Sequence, residues 1–414
     1  MALGLVLSLA GCATTIESGD LHACRQAADR DDADAAMTFC NRALQAPNLS
    51  DADRSRALLS RAIAEDIHGN YDRAIIDFNQ AISLQPDDAV LYLNRGITRA
   101  KTGDLDQAIV DYNQAIKLRP DSSAAYLNRG SAYDDKEDYD RAIADYSQAI
   151  ELQPNDEALY YDRAISYDRR GSYDLAIADY DQAITLKPDD SAAFNNRGVV
   201  YYDRGDYDHA IADYGRAIAL RADYALAFAN RGYAYCKKGD CGRALPDYNT
   251  AIKLQPDLVI AYIGRSDAYL TEGNGQLALA DATAAVKLKP DDTFANSTLC
   301  YSLAVLGRAD EALPYCNHAV ALKHNFAGAF SSRAYARLRL GNWQAAIADW
   351  SRALLLDPSD ATALFGRGYA NERAGDASIA AANYVAARAA DPTIDAKMRK
   401  IGIVPGSQEI KPSS

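Results

Sequence analysis

Histidine is scarce in this chain. Five occur in 414 residues, and His22, His68, His209, His318 and His324 share no spacing that would gather them around a metal ion. His318 and His324 lie six apart and read as a solvated pair. A glycine-rich phosphate loop and any recognisable catalytic motif are absent too, so the chain reads as non-enzymatic, with no cofactor and no metal. Positive charge is in deficit: 44 Lys and Arg face 57 Asp and Glu, leaving a net charge of −13. Such a surface repels nucleic-acid phosphates and anionic lipid, and it steers basic partners inward. Long apolar runs are missing; the one at the N-terminus falls well short of the ~20 residues that span a bilayer. No linker or shift of composition interrupts the middle of the chain, which predicts one elongated domain although the length would ordinarily suggest two or three.

Repetition is what the chain has in abundance. Pro86, Pro120, Pro154, Pro188, Pro256, Pro290, Pro358 and Pro392 are all separated by multiples of 34 residues. With Ser123 as position 1 and Pro154 as position 32, ten units start at Ser55, Ala89, Ser123, Glu157, Ser191, Ala225, Val259, Thr293, Ala327 and Ala361. Positions 20 and 27 are alanine in every unit (Ala74 to Ala380, Ala81 to Ala387), as expected where helix backbones approach closely. Position 8 is small (Gly96, Gly130, Gly198, Gly232, Gly368), and aromatics fill positions 4, 11 and 24 (Tyr126, Tyr133 and Tyr146 in one unit). On a helix, 4, 8 and 11 make one stripe and 20, 24 and 27 another, so each unit is two amphipathic helices facing each other. Gly-Asp pairs such as Gly103-Asp104 separate the helices, and the proline ends the second.

A 34-residue helical hairpin with this pattern of small, aromatic and proline positions resembles the tetratricopeptide repeat family over about residues 55–394. The resemblance implies an all-α fold, an α-solenoid of about ten to eleven helix-turn-helix repeats wound as a right-handed superhelix, because one hairpin cannot bury its own apolar face. Glu17 to Asp53 reads as a degenerate opening repeat with Ala36 and Ala43 under the two alanine columns. Ile394 to Ile401 reads as a short capping helix, and Val404 to Ser414 as a disordered tail. At the other end, Leu9-Ala10-Gly11-Cys12 after an apolar stretch resembles a bacterial lipobox. It implies a signal peptide over 1–11, lipidation of Cys12 and a segment 12–54 leading into the repeats. Ala13, where the family's inner-membrane retention signal would be aspartate, implies an outer-membrane lipoprotein facing the periplasm. A soluble cytoplasmic adaptor is the alternative.

Comparing the units with one another separates scaffold from site. Arginine holds position 7 in nine units and aspartate holds position 23 in eight, and the unit at Thr293 loses both together, to Leu299 and Tyr315. Positions summing to about 30 face each other in the hairpin, which predicts a structural ion-pair ladder. The family's groove-lining positions are 2, 5, 6, 9, 12 and 13, and these vary. Of 27 tyrosines, Tyr161, Tyr202, Tyr233, Tyr301, Tyr335 and Tyr369 fall on that stripe, where a large ring with a polar tip suits binding. Packing residues that happen to be aromatic are the plainer reading. Position 6 carries Asn94, Asn128, Asn196 and Asn230, which the resemblance implies could grip the backbone of an extended peptide. Lysine is absent from position 5, against a receptor for acidic chaperone tails. The six cysteines after Cys12 form three local pairs with position sums near 30, Cys24 with Cys40, Cys236 with Cys241 and Cys300 with Cys316, which predicts disulfides within single hairpins. Together these features predict an interaction scaffold, tethered to the membrane through a lipid only, that binds a protein or peptide with a basic segment.

Overall fold

Helices of 13 or 14 residues are marginal on their own in water, so each must be capped locally and buried against a neighbour. The computed structural model describes residues 19–30 and 32–407, and the leader through Cys12 lies outside them. Among the described residues there are 23 α-helices and no strand. The chain divides into two compact units, residues 1–193 and 194–414, where the sequence alone reads as one domain. The boundary falls inside a helix, so no linker marks it.

Unit 1 contains the hairpins α1/α2 (Gly19–Asp29, Ala33–Leu44), α3/α4 (Asp51–Ile67, Tyr71–Leu84), α5/α6 (Ala89–Lys101, Leu105–Leu118), α7/α8 (Ser123–Asp135, Tyr139–Leu152) and α9/α10 (Glu157–Arg169, Tyr173–Leu186). The helix α11 (Ser191–Asp203) begins there and ends in unit 2. Unit 2 continues with α12 (Tyr207–Leu220), then α13/α14 (Ala225–Lys237, Cys241–Leu254), α15/α16 (Val259–Thr271, Gly275–Leu288), α17/α18 (Thr293–Val305, Ala309–Leu322), α19/α20 (Ala327–Arg339, Trp343–Leu356), α21/α22 (Ala361–Ala374, Ala377–Ala390) and α23 (Ile394–Lys400).

First helices from α5 onward open at repeat position 1 and second helices from α4 onward open at position 17. The side chains of Asp88, Ser122, Asp156, Asp292 and Asp360 accept a backbone N–H as N-caps of first helices. Asp104, Asp138, Asp206 and Asp240 do the same for second helices. Between the two helices the chain passes through a left-handed residue, supplied by glycine in nine units (φ 82° at Gly103) and by Glu137 (φ 60°) in the tenth.

Packing follows the columns. Phe78, Tyr112, Tyr146 and Tyr180 in unit 1, and Tyr214, Tyr248 and Trp350 in unit 2, are buried at position 24. Each ring needs a small partner at position 8: a Cβ at Gly96 would stand 2.6 Å from Tyr112, and one at Gly232 would stand 2.8 Å from Tyr248. The following hairpin closes the other side through position 6, where a Cβ at Gly264 would lie 2.5 Å from Tyr248 and one at Gly366 would lie 2.4 Å from Trp350. Position 8 is thus small because a ring occupies the space, and the same holds for position 6 at Gly264 and Gly366.

The ion-pair ladder is present in both units. Arg95 Nε and Nη2 donate to Asp111 at 2.9 and 2.6 Å, and Arg265 makes the same fork with Asp281 at 2.7 and 2.7 Å. A third bond ties such a hairpin to the one before it where position 25 offers an acceptor: Arg95 Nη1 reaches Asn79 at 2.6 Å and Arg265 Nη1 reaches Asn249 at 2.7 Å. The sulfurs of all three predicted cysteine pairs stand at bonding distance, with Cα separations of 4.8 Å (Cys24 and Cys40), 4.2 Å (Cys236 and Cys241) and 5.1 Å (Cys300 and Cys316). Two of these pairs hold positions 8 and 24, so they replace the glycine-ring contact found elsewhere.

The C-terminus departs from expectation. Val404 to Ser414 reads as a loose tail, yet residues 401–407 fold back on α19 and α21: Tyr335 Oη donates to the Ile401 carbonyl at 2.6 Å and Tyr369 Oη to the Ser407 carbonyl at 3.2 Å. Residues 408–414 lie outside the described residues. The physical reason is Ile403, an aliphatic side chain that becomes fully buried there.

Candidate binding cavity

The stripe of positions 2, 5, 6, 9, 12 and 13 behaves differently in the two units. In unit 1 its polar groups are engaged by contacts between repeats or within their own helices. Asp66 takes the Thr98 hydroxyl at 2.8 Å and pairs with Lys101; Asp134 takes the Ser166 hydroxyl at 2.8 Å and pairs with Arg169. Asn94 and Asn128 are buried, and their amides donate to the carbonyls of Val90 and Ala124 one turn back, at 2.9 and 2.8 Å. Tyr161 stands edge-on to the buried Tyr180 with centroids 5.6 Å apart. Asp162, which interrupts the asparagine row, is half-buried, and burial together with Asp134 and Asp156 pushes its carboxyl up to about 7.

Unit 2 opens the same stripe into a cavity of about 630 Å³. Val199, Tyr202 and Asp203 of α11, Asn230 and Tyr233 of α13, and Ile260 and Ile263 of α15 line it, with Phe294 of α17 at one side. Successive first helices each contribute because they sit side by side and present the same repeat positions. Apolar walls predominate, and Ile260 and Phe294 remain 37% and 48% exposed. Tyr233 is fixed from two directions, edge-on to Tyr248 at 5.6 Å and donating to the Ile260 carbonyl at 3.1 Å. Tyr202 stands edge-on to Tyr207 at 5.4 Å, and burial pushes its hydroxyl up to about 12. The Asn230 amide donates to Asn195 at 3.1 Å, and Asn195 in turn donates to Asn196 at 3.1 Å.

Charge in and beside the cavity is mostly negative. Lys289 pairs with Asp292 at 3.2 Å, whereas Asp203 is solvent-exposed with no ion-pair or hydrogen-bond partner among the described residues, and partial desolvation raises its carboxyl. Asp267, one hairpin beyond Tyr233, keeps contact with solvent while neighbouring protein partly desolvates it. That desolvation, offset in part by Lys237, pushes its carboxyl up to about 7. A cation arriving at either carboxylate would relieve this penalty.

The predicted site residues therefore divide. Tyr202, Asn230 and Tyr233 line one cavity; Asn196 is linked to it through Asn195. Tyr301 and Tyr335 pack on each other at 5.3 Å, and Tyr335 and Tyr369 are buried beneath the C-terminal segment. Tyr161, Asn94 and Asn128 belong to unit 1 and take no part. Ile260, Ile263, Phe294 and Asp203 do not stand out in the sequence, although they occupy positions 2, 5, 2 and 13 of the same stripe.

Sequence models of the tetratricopeptide repeat match residues 55–88, 93–157, 167–203, 200–239, 230–293 and 334–375, together more than half of the chain. Among solved structures, the chain is similar to a tetratricopeptide repeat protein from Parabacteroides merdae at 18% identity and a TM-score of 0.51, covering 60% of this chain and 99% of that one. It is also similar to the APC/C hetero-tetramer Cut9-Hcn1 at 13% identity and a TM-score of 0.52, covering 91% and 95%. YrrB, a TPR protein with an unusual peptide-binding site, is 26% identical over 44% of this chain and 95% of that one, with a TM-score of 0.39. No curated protein sequence matches. At these identities the first two superpositions establish the α-solenoid fold.

Proposed function

Since the chain belongs to the tetratricopeptide repeat family, a family of protein-interaction scaffolds, we propose that its unit 2 cavity holds an extended segment of a partner protein by an apolar side chain flanked by lysine or arginine. The observation that carries this reading is the coexistence of exposed Ile260 and Phe294 with the unpartnered carboxylate of Asp203 at one cavity. A cavity of this size accommodates a large side chain, and Asp203 and Asp267 supply the complementary charge. The asparagines contribute less to the grip than a free amide ladder would, because Asn230 already serves Asn195. Panning a displayed random-peptide library against the full chain tests the reading. Enrichment of Lys or Arg beside aromatic or aliphatic residues is the expected outcome; recovery of acidic peptides, or none, would contradict it.

The scaffold acts at the bacterial envelope in this proposal, as an outer-membrane lipoprotein facing the periplasm and anchored through Cys12. Two features support it: the Leu9-Ala10-Gly11-Cys12 motif, and three cysteine pairs at bonding distance, an arrangement that persists in oxidising compartments. Cys12→Ser should abolish metabolic labelling with a clickable fatty acid and release the chain from membranes. Membrane association unchanged by this substitution would refute the anchor and leave the cavity proposal untouched.

A further inference from the structure

The C-terminal segment is held in an unusual way. Side chains of α19 and α21 make four hydrogen bonds to main-chain atoms of residues 401–407. Tyr335 donates to the Ile401 carbonyl at 2.6 Å, and Tyr369 and Arg373 donate to the Ser407 carbonyl at 3.2 and 3.3 Å. Glu372 accepts the Gly406 N–H at 2.7 Å. Glu372 also accepts the Tyr384 hydroxyl at 2.6 Å, so its carboxylate is oriented from behind by α22. Acceptors and donors on α19 and α21 therefore complement a peptide backbone without reading side chains.

The segment sets three β-branched aliphatic residues, Ile401, Ile403 and Val404, among small ones. Gly402 and Gly406 take left-handed backbone (φ 82° and 78°), Ile403 alone of the seven is fully buried, beside Tyr335 and Tyr369, and half-buried Ile401 packs against the same core. The preceding helix α23 is anchored by Ile394 and Met398, buried in the same core, and the Ile403 N–H donates to the Met398 carbonyl at 3.0 Å, so α23 tethers the segment next to its site. Lys400, at the junction, donates to the Thr271 carbonyl at the end of α15 at 3.2 Å, and α23 carries Lys397, Arg399 and Lys400 in its last turn. A basic tether thus extends from the buried segment toward the hairpin that carries Asp267.

We propose that the face of α19 and α21 formed by Tyr335, Tyr369, Glu372 and Arg373 is a second peptide site, selective for a main chain that presents β-branched aliphatic side chains among small residues, and that residues 401–407 are its tethered, displaceable occupant. The class of ligand is set by the contacts in place: two carbonyls and one N–H at fixed spacing, and the buried seat that the Ile403 side chain fills. A partner segment of this composition would replace the tail. Because the site is distinct from the cavity formed by α11, α13 and α15, the proposal stands independently of the function proposed above.

Two measurements on the full chain test it. Hydrogen exchange at the Gly406 and Ile403 amides should accelerate at least tenfold in a Tyr335→Phe, Tyr369→Phe chain, which keeps both rings, while amides of α19 to α22 stay as protected as in the parent. A fluorescent peptide of residues 401–414 should bind an Ile403→Asp chain saturably and the parent chain at least tenfold more weakly. Adding the two phenylalanine substitutions to the Ile403→Asp chain should weaken that binding at least tenfold. Unchanged exchange at Gly406, loss of protection spreading through α19 to α22, or failure of the peptide to bind the Ile403→Asp chain would each overturn the proposal, the second by showing that the segment is an integral part of the core.

Discussion

Arg95 and Asp111 meet across the α5/α6 hairpin in a two-pronged ion pair, Nε at 2.9 Å and Nη2 at 2.6 Å, with Asp111 1% exposed. Arg99 adds a further bond to the same carboxylate at 2.7 Å. Removing one partner of a buried pair leaves an uncompensated charge, so Asp111→Ala should lower stability by roughly 3–5 kcal/mol. Urea denaturation of the parent and the variant measures this directly. A loss below about 1 kcal/mol, the range of exposed pairs, would show that the ladder sets register without supporting the fold.

Glu137 marks a local conflict between sequence and backbone. It adopts φ 60° at the turn where nine other units place glycine at positive φ. A left-handed conformation costs a β-carbon-bearing residue about 1–2 kcal/mol, and glycine recovers much of it. Glu137→Gly is therefore expected to raise stability by about 1 kcal/mol in the same denaturation experiment, against the usual destabilising effect of new glycines.

The pH dependence has a defined sign. Asp162 rises from an ordinary 3.8 to about 7 in the folded chain, so the folded state holds the proton more tightly than the unfolded one. Its stabilising share is complete below about pH 4 and is lost as pH rises through about 7. Asp162→Asn should accordingly raise the melting temperature at pH 8 and leave it nearly unchanged at about pH 4. An equal rise at both values would assign the effect to something other than the carboxylate's titration.

How much of this is legible in the sequence depends on the kind of residue. Columns repeated through the array, such as alanine from Ala74 to Ala380 in all ten units or the Arg95 and Asp111 pair in eight of them, announce packing because most hairpins pose the same steric and electrostatic problem. The third bond, Arg95 to Asn79, leaves no such mark because it joins two repeats and position 25 varies, from Asn79 to Ser147 to Gly215. In the stripe that varies, tyrosines are visible as candidates, but whether a ring lines a cavity (Tyr233) or lies under another segment (Tyr369) depends on neighbours that no column records. Residues 401–407 escape for a related reason: Pro405 and Gly406 look like a loose tail until Ile403 finds a place to bury.

The cysteines give a covalent test. Non-reducing mass spectrometry of the chain after export to a periplasm should show three bridges, Cys24 to Cys40, Cys236 to Cys241 and Cys300 to Cys316. Replacing Cys300 and Cys316 together by alanine should cost about 3 kcal/mol, the estimate for a loop of this length. Six free thiols after export would contradict both the pairing and its use as support for the compartment.

The claim that unit 2 is a receptor for basic, apolar-anchored segments is tested most directly by titration. A fluorescent peptide chosen by panning is measured against the parent chain, Ile260→Lys and Asp203→Asn, both substitutions being at exposed side chains that hold no other part of the fold. The account predicts that Ile260→Lys weakens binding by about 2 kcal/mol, roughly thirty-fold in Kd. It predicts a smaller loss for Asp203→Asn, together with a shallower dependence on salt. Full-strength binding by both variants, with melting temperatures equal to that of the parent, would contradict it.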